Sequence, residues 1–338
     1  MQNVNIGVIG GGSWGTALAI LLLNNGHNVD IWMRDSLQIQ HVNEFHENKK
    51  YLPGITIPSN LKLTNDISKV IHDKQVIVLA IPSHGVRQIL NDAKNIVDKD
   101  QVIVNVAKGI ENNTLLRISQ IVEEILPHNP YAVLSGPSHA EEVARNIPTA
   151  VVSASKDKEV AEYVQDIFMS SYFRVYTNLD VVGVELGGSL KNVIALGAGI
   201  SDGLGYGDNT KAALMTRGII EMARLGKKMG ANSATFSGLS GIGDLIVTCT
   251  SMHSRNRKAG ILIGQGKSLE EAINSVGMVV EGIKTAKSAY ELAKREQVVM
   301  PITEEIYEVL YEGKDVKNSV NNLMLRDKKP EMEEIIRE

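Results

Sequence analysis

Lys191 is the residue of this sequence best suited to acid–base chemistry. It lies in a segment, residues 184–197, that is too apolar and too rich in glycine for a solvated surface helix. Glycine inside a helix costs up to about 1 kcal/mol relative to alanine, so its use predicts close approach to another backbone or to a ligand. A desolvated lysine loses its proton more easily and suits proton transfer. The alternative is a lysine whose stem packs while its amine reaches water.

Two further polar groups follow predicted strands. Lys108 comes after a strand predicted at 102–106, where it could face a phosphate or a carbonyl group or remain a solvated loop lysine. Gly136 and Ser138 lie between another strand and a helix predicted at 139–144. The N–H groups and hydroxyl there could bind a small anion, and a plain N-cap is the alternative.

Two polar loops are predicted in the second half of the chain, at 241–244 and 254–257. Asp244 ends the first loop. In the second loop Ser254 is typical of an N-cap, which places Arg255 and Asn256 in the first helical turn. Arginine, amide and free N–H groups at a helix N-terminus form a phosphate site. A solvated basic turn is the alternative.

Cys249 and His253 lie four residues apart but do not form a metal-site pattern. There is no second cysteine in the sequence and no paired histidine, so the spacing of a zinc site is missing. A Cys–His nucleophile is the remaining alternative, and little else in the sequence favours it.

A glycine-rich turn near the start of the chain predicts dinucleotide binding. Gly10, Gly12 and Gly15 follow an apolar strand and open an apolar helix. In this pattern the first glycine permits a tight turn, the second lets the backbone approach a pyrophosphate, and the third lets helix pack on strand. The helix N-terminus then faces the phosphates. Trp14, inside the turn, either covers the cofactor or packs on the second strand.

The end of the second predicted strand favours NADP over NAD. NAD enzymes usually place an acidic residue there to bind the ribose 2′-OH. This sequence has Met33 and then Arg34, and an arginine can pair with a 2′-phosphate. Asp35, one residue later, could still reach a ribose, and a surface role for Arg34 is the alternative. NADPH is therefore favoured as cofactor, and NADH stays possible.

The elements that position these residues fall into two groups. Apolar strands alternate with helices in the first group, and residues 51–61, with two prolines and a glycine, are predicted to be a loop. This alternation predicts a doubly wound parallel sheet of the Rossmann type, with its ligand crevice at the carboxyl ends of the strands. The predicted strands are 4–9, 27–33, 76–81, 102–106, 131–134, 149–154 and 173–176, and the helices between them include 16–24, 85–93 and 114–125.

From Asp180 onward only helices are predicted. Residues 1–179 are therefore expected to form a dinucleotide-binding domain and residues 180–338 an all-helical substrate domain, giving an α/β fold class with a C-terminal all-α domain. The charged tail, 326–338, is expected to be a solvated end. The predicted helices are 181–200, 210–229, 255–263, 269–274, 282–294 and 302–310.

Composition and charge exclude several classes of function. The chain has 338 residues, 43% of them hydrophobic, and a formal net charge of −4, which gives no support to nucleic-acid binding. One cysteine fits a reducing compartment. No signal peptide or apolar run of membrane-spanning length is recognised. We expect a cytoplasmic protein, and apolar stripes on the helical domain indicate a homodimer.

Taken together, the motifs resemble those of the bacterial biosynthetic NAD(P)-dependent glycerol-3-phosphate dehydrogenases. The resemblance covers nearly the full length, with the motifs in the family's order. The stretches that carry it are 10–17, 105–111, 135–140, 190–193, 241–245, 254–256 and 280–282.

The resemblance implies reversible reduction of dihydroxyacetone phosphate to sn-glycerol 3-phosphate, which supplies glycerophospholipid synthesis. Lys191 resembles the family's catalytic proton donor and acceptor. The implied substrate residues are Lys108, Gly136, Ser138, Lys191, Asp244, Ser254, Arg255 and Asn256. The implied cofactor residues are Gly10, Gly12, Ser13, Trp14, Gly15, Arg34, Lys108, Ala140, Arg255, Val279 and Glu281. The alternatives are a related dehydrogenase of a hydroxy acid or sugar phosphate, and a dinucleotide sensor without turnover.

Overall fold

The structure is a computed structural model that describes residues 3–328, 330 and 331. The chain divides into two compact units. The first contains the chain up to Lys108 together with Arg117–Val181, and the second contains Gly109–Leu116 together with the chain from Val182. Sequence patterns place the boundary at 179/180 but do not indicate that Gly109–Leu116 belongs with the helical half.

The first unit carries the sheets. Its strands are β1 (Asn5–Ile9), β2 (Asn28–Trp32), β3 (Glu47–Asn48), β4 (Leu52–Thr56), β5 (Lys62–Thr64), β6 (Val76–Leu79), β7 (Val102–Asn105), β8 (Tyr131–Ser135), β9 (Thr149–Ala154) and β10 (Phe173–Asn178). Its helices are α1 (Ser13–Asn24), α2 (Ser36–Phe45), α3 (Ile67–Ile71), α4 (Val86–Ala93), α5 (Ile118–Ile125), α6 (Ala140–Val143) and α7 (Lys158–Phe168), with a 3₁₀ turn at Ser83–Gly85.

The main sheet has eight strands in the order β10-β9-β8-β7-β6-β1-β2-β5. Ile9 of β1 lies opposite Trp32 of β2 on one side and Leu79 of β6 on the other. The Rossmann-type prediction is confirmed, with one difference: β8 and β9 pair antiparallel. The connection between these two strands holds only the four-residue helix α6, whereas a parallel crossover usually needs a full helix across the sheet.

The predicted loop at 51–61 is wrong in part, because Leu52–Thr56 forms β4. Among the described residues this strand pairs only with β3, in a separate two-stranded sheet. Pro53 lacks a backbone donor, but an edge strand tolerates that loss because one of its sides needs no partner. Gly54 has a φ of +74°, a conformation that L side chains rarely adopt.

Two predicted helices of the first unit are shorter than expected. The helix predicted at 114–125 begins at Ile118. Leu115 has a φ of +59°, which no right-handed helix permits. The helix predicted at 139–144 contains only Ala140–Val143.

The second unit is helical, as predicted. Its α-helices are α8 (Val181–Gly203, which begins one residue before the unit), α9 (Asp208–Lys228), α10 (Asp244–Thr250), α11 (Arg255–Gly264), α12 (Leu269–Val276), α13 (Glu281–Arg295), α14 (Pro301–Tyr311) and α15 (Val316–Met324). A 3₁₀ helix covers Ser233–Ser237 and a π-helix covers Leu239–Gly243. Ser268 and Glu271 form a capping box at the start of α12.

The loop predicted at 241–244 is wrong. Gly241 belongs to the π-helix and Asp244 begins α10. Glycine serves here for close packing rather than for a turn: a Cβ on Gly241 would lie 2.1 Å from the carbonyl oxygen of Phe236.

Helix α8 is the central helix of the second unit. It is long and apolar enough to cross a membrane by length and hydropathy, but 94% of its apolar window is buried inside the protein. The sequence does not suggest it as a candidate span because Glu185 and Lys191 interrupt the apolar run. Burial of this degree is that of a core helix.

Of the predicted solvated tail at 326–338, residues 326–328, 330 and 331 are exposed. The rest of that prediction lies outside the described residues.

Candidate functional site

The glycine turn has the geometry that a dinucleotide loop requires. Gly10 adopts a φ of +122°, and a Cβ on Gly15 would lie 1.9 Å from the carbonyl oxygen of Gly10. Both positions therefore exclude any side chain. A Cβ on Gly12 would meet no protein atom within 4 Å, so the backbone at the N-cap of α1 borders open space. The residues present fit a pyrophosphate at this helix N-terminus.

A hairpin made of β3 and β4 holds this loop from outside. Asn48, which is 1% exposed, donates from Nδ2 to the carbonyl oxygen of Gly11 at 3.0 Å and to Oγ1 of Thr16 at 2.9 Å. Gln38 donates to Oδ1 of Asn48 at 2.9 Å. Ser13 donates from its hydroxyl to the carbonyl oxygen of Tyr51 at 2.6 Å. Sequence reasoning missed Asn48, which lies between the second predicted strand and the loop predicted at 51–61 and was assigned to no element.

The residues that flank the loop bear on cofactor choice. Arg34 follows β2 and is exposed. Asp35 caps α2 by accepting the N–H of Leu37 at 3.0 Å, so one of its carboxylate oxygens is already engaged. Trp14 packs against the apolar core of the first unit, and its buried Nε1 has no hydrogen-bond partner among the described residues.

Lys108, Gly136 and Ser138 meet at the carboxyl ends of β7 and β8. The ammonium of Lys108 donates to the carbonyl oxygen of Gly136 at 2.8 Å and lies 3.5 Å from Oγ of Ser138. Gly136 has a φ of +144°, and Ser138 donates to its carbonyl oxygen at 2.9 Å. Ala140 begins α6 and is buried. Neighbouring parallel strands thus bring a cation and a hydroxyl to one edge of the sheet.

In the second unit Lys191 lies at the centre of a buried polar cluster. Its Nζ lies 2.9 Å from Oδ1 of Asp244, and the two side chains are 8% and 2% exposed. Nζ also donates to Oγ1 of Thr248 at 2.7 Å, and that hydroxyl donates to the carbonyl oxygen of Asp244 at 2.6 Å. The carboxylate favours the charged ammonium, which opposes the effect of burial. The structure therefore supports a desolvated lysine and not one that reaches water.

Backbone contacts hold this cluster in place. A Cβ on Gly187 of α8 would lie 2.6 Å from the carbonyl oxygen of Ser240, and one on Gly199 would lie 2.2 Å from that of Arg257. On the facing helix α11, a Cβ on Gly260 would lie 2.1 Å from the carbonyl oxygen of Leu196. The predicted close approach of backbones is confirmed, and it fixes α8 against the π-helix that precedes α10 and against α11.

The N-termini of α11 and α13 are joined by one amide side chain. Asn256 donates from Nδ2 to Oδ1 of Asn192 at 2.9 Å, and its Oδ1 accepts the N–H of Gly282 at 2.8 Å. Ser254 caps α11 by accepting the N–H of Arg257 at 3.2 Å, as predicted. Arg255 occupies the first position of α11. Two positive helix ends meet here, and Arg255 begins one of them; helix N-termini of this kind bind phosphate.

The remaining predicted cofactor residues lie just before and in α13. Val279 is 39% exposed, and Glu281 is the first residue of the helix. Glu281 stands beside Gly282 and therefore belongs to the same helix N-terminus as Asn256.

Cys249 has no nucleophilic role. The side chain is fully buried, and burial raises the pKa of its thiol to about 12, whereas reactive cysteines have lowered values. His253, its suggested partner, is exposed. Within the part of the chain that the structure describes, no group of three or more His, Cys, Asp or Glu side chains could hold a metal ion.

Sequence reasoning also missed Thr248, Asn192 and the ion pairs that support α11. Asp202 binds Nε of Arg257 at 2.7 Å and Nζ of Lys211 at 2.8 Å, which ties α8, α9 and α11 together. Thr248 shares a face of α10 with Asp244, four residues earlier, but its role depends on the contact with Lys191.

Known proteins match this arrangement over nearly the whole chain. The family model "NAD-dependent glycerol-3-phosphate dehydrogenase N-terminus" matches residues 5–161, and the corresponding C-terminus model matches residues 180–321. Glycerol-3-phosphate dehydrogenase [NAD(P)+] of Thermoanaerobacter sp. (strain X514) is 56% identical over 97% of this chain and 99% of its own length. The Clostridium tetani protein of that name is also 56% identical, over 96% of this chain and 93% of its own length.

A solved structure gives the same result. The crystal structure of glycerol-3-phosphate dehydrogenase from Coxiella burnetii is 37% identical, with a TM-score of 0.93, and covers 96% of this chain and 99% of that chain. The chain belongs to the NAD-dependent glycerol-3-phosphate dehydrogenase family.

Proposed function

We propose that this protein is an NAD(P)-dependent oxidoreductase acting on a CH–OH group. It reduces dihydroxyacetone phosphate to sn-glycerol 3-phosphate, reversibly, and so supplies glycerophospholipid synthesis. The observation that carries the proposal is the buried Lys191 ammonium, paired with Asp244 at 2.9 Å, in a chain of this family. A buried cation on this unit suits a reaction in which negative charge develops on a carbonyl oxygen.

The first unit holds the dinucleotide. Gly10, Gly12 and Gly15 with Ser13 and Trp14 form the pyrophosphate loop, and Arg34 binds the 2′-phosphate of NADPH, with NADH accepted less well. When bound, the cofactor supplies the hydride for C2 of the substrate. The other proposed cofactor contacts are Lys108, Ala140, Arg255, Val279 and Glu281.

Lys191 donates the proton to the C2 oxygen in reduction and accepts it in oxidation. Asp244 and Thr248 hold the ammonium through the hydrogen bonds described above, so little reorganisation is needed when charge develops on the oxygen. General acid catalysis of this kind contributes roughly 10²- to 10⁴-fold to a rate. Lys108, with Gly136 and Ser138, contacts the polar end of the substrate.

The phosphate of the substrate is held at the start of α11. Ser254, Arg255 and Asn256 supply a hydroxyl, a guanidinium and an amide, and the helix N-terminus adds free N–H groups. The amide of Asn256 is already oriented by Asn192 and Gly282. Anchoring the phosphate fixes C2 in position, and such positioning accounts for much of an enzymatic rate.

Residues 1–179 thus serve as the cofactor domain and residues 180–338 as the substrate domain. We place the enzyme in the cytoplasm, because one cysteine in 338 residues suits a reducing compartment. We further propose a homodimer, supported by exposed apolar side chains on the helical unit such as Leu325 (84% exposed). Sedimentation velocity would detect it as twice the chain mass.

The rival function is oxidation of a hydroxy acid or a sugar phosphate, or the reverse reduction of its oxo form, by a related dehydrogenase. Oxidation of NADPH, followed by absorbance, compares dihydroxyacetone phosphate with 2-oxo acids as the compound that is reduced. 6-Phosphogluconate is tested in the reverse direction, by the reduction of NADP. We expect turnover with dihydroxyacetone phosphate alone. The Arg255→Ala variant should raise the KM for this substrate about 10- to 100-fold, since bonds to charged groups are worth roughly 1.5–3 kcal/mol. An unchanged KM would place the phosphate elsewhere.

A further inference from the structure

The helical unit contains a cavity that none of the residues discussed above as catalytic, substrate-binding or cofactor-binding lines. It lies between α8, α9, α14 and α15 and has a volume of about 270 Å³. Leu214, Ile306, Val309 and Val320 form much of its wall. Ligand pockets are typically apolar cavities of roughly 300–1,000 Å³ with a few polar groups, so this cavity lies near the lower end of that range.

Two buried hydroxyl groups line the cavity without a hydrogen-bond partner among the described residues. Ser201 and Ser319 are 5% and 6% exposed, and Oγ of each is inaccessible and unpaired. Buried polar groups in native proteins nearly always have a partner. Because no solvent-sized group reaches either oxygen, these hydroxyls mark an imperfectly satisfied wall and are not themselves contacts for a bound molecule.

Positive charge exceeds negative charge in the lining. Arg217, Arg224 and Arg326 contribute three guanidinium groups, against the carboxylates of Glu221 and Glu305. Arg217 and Arg224 each also donate to a backbone carbonyl oxygen, that of Glu331 and that of Val299. Glu305 is paired with Lys314, and burial raises the pKa of Glu221 to about 7, so this carboxyl is largely uncharged below neutral pH. The cavity therefore combines an apolar interior with an excess of arginine.

The mouth of the cavity is also apolar. Val299 and Met324 belong to its lining and are 57% and 78% exposed. Exposed apolar side chains beside an apolar cavity mark a surface that receives another apolar group.

We propose that this cavity binds an amphiphilic anion, with an alkyl chain along the apolar wall and a carboxylate or phosphate head against the arginines. The site is separate from the proposed reaction and does not depend on it. One wall is formed by Gly197, Ile200 and Ser201 of α8, the helix that carries Lys191.

Calorimetric titration of the full chain with hexanoate, octanoate and decanoate tests the site. Each methylene buried in the cavity contributes about 0.8 kcal/mol, which corresponds to roughly a fourfold lower Kd. Decanol should bind more weakly than decanoate, and a comparison with decyl phosphate distinguishes a carboxylate head from a phosphate head. A series that does not strengthen with chain length would overturn the proposal.

Three variants locate the binding. Val320→Trp fills the cavity from α15 and should abolish decanoate binding, whereas Asn321→Trp, at the neighbouring exposed position of the same helix, should leave it intact. Arg326→Ala changes only an exposed side chain and should weaken decanoate but not decanol. Undiminished binding to the folded Val320→Trp variant contradicts the site. The site is also contradicted if the wild type is a dimer and the Val320→Trp variant is a monomer, because a second copy of the chain would then cover the cavity.

Discussion

Glu221 predicts a specific dependence of stability on pH. The residue lies in α9 and is 3% exposed. Its carboxylate accepts the N–H of Ile302 at 2.7 Å and both the N–H and the hydroxyl of Thr303 at 3.2 Å, so it caps the first turn of α14. Burial outweighs these hydrogen bonds and raises the pKa of the carboxyl from 4.5 to about 7.

The sign of the effect follows from comparing folded and unfolded chains. Below pH 4.5 the Glu221 carboxyl is protonated in both states. Between about 4.5 and 7 it ionises in the unfolded chain but not in the folded protein, so the free energy of unfolding falls as the pH rises. The full difference corresponds to roughly 3 kcal/mol. Above pH 7 both states are ionised and no further loss occurs.

The test is urea denaturation of the wild type and of Glu221→Gln at several pH values from 4.5 to 8. The amide that replaces the carboxyl does not ionise, so the wild type should lose stability relative to the variant by up to about 3 kcal/mol over that range. Glu270→Gln, at an exposed position of α12, is the control. The difference in unfolding free energy between this variant and the wild type should change by only a few tenths of a kcal/mol over the same pH range. If the difference in unfolding free energy between the wild type and Glu221→Gln stays constant from pH 4.5 to 8, the Glu221 carboxyl does not have a raised pKa in the folded protein.

Three further predictions concern the cofactor loop and the buried lysine. Asn48→Ala removes two hydrogen bonds to the loop and should raise the KM for NADPH about tenfold with little change in kcat; an unchanged KM contradicts the clamp. Arg34→Ala should raise the KM for NADPH but not for NADH, by roughly 10- to 100-fold, and equal effects on both cofactors would remove Arg34 from the 2′-phosphate. Asp244→Asn leaves the ammonium of Lys191 buried without its charged partner and should lower the free energy of unfolding by about 3–5 kcal/mol, as measured by urea denaturation. A loss below about 1 kcal/mol would indicate a pair that water screens.

The main sheet and the glycine turn were predictable because their signals are local. The strands β1, β6 and β7 are buried on both faces, so apart from Asn5 and Asn105 at their ends each is a continuous apolar run. The spacing of the three glycines is visible in the sequence, and only glycine fits the turn. Gly10 has a positive φ, and a side chain on Gly15 would clash with the carbonyl oxygen of Gly10.

The parts that sequence reasoning missed depend on contacts between distant segments. Strand β4 contains Pro53 and Gly54, which indicate a loop, and it becomes a strand only through pairing with β3. Gly241 and Gly243 likewise suggest a loop, whereas Gly241 allows the π-helix to pack against Phe236. Propensity gives way to tertiary packing in both cases.

The candidate site was predicted unevenly for the same reason. Lys191 was identified from its apolar surroundings, and Ser254 from its position before a helix. Thr248 and Asn48 carry no local signal, because a threonine in a helix and an asparagine in a short strand are ordinary until their partners are known. Their roles depend on hydrogen bonds to Lys191 and to the glycine loop.

The central claim is that Lys191 moves the proton in the reduction of dihydroxyacetone phosphate, and kcat of Lys191→Ala tests it most directly. NADPH binding to the variant, followed by fluorescence, serves as the control for folding of the cofactor unit. The account predicts a kcat lower by roughly 10²- to 10⁴-fold with NADPH binding nearly unchanged. Turnover like that of the wild type would contradict it.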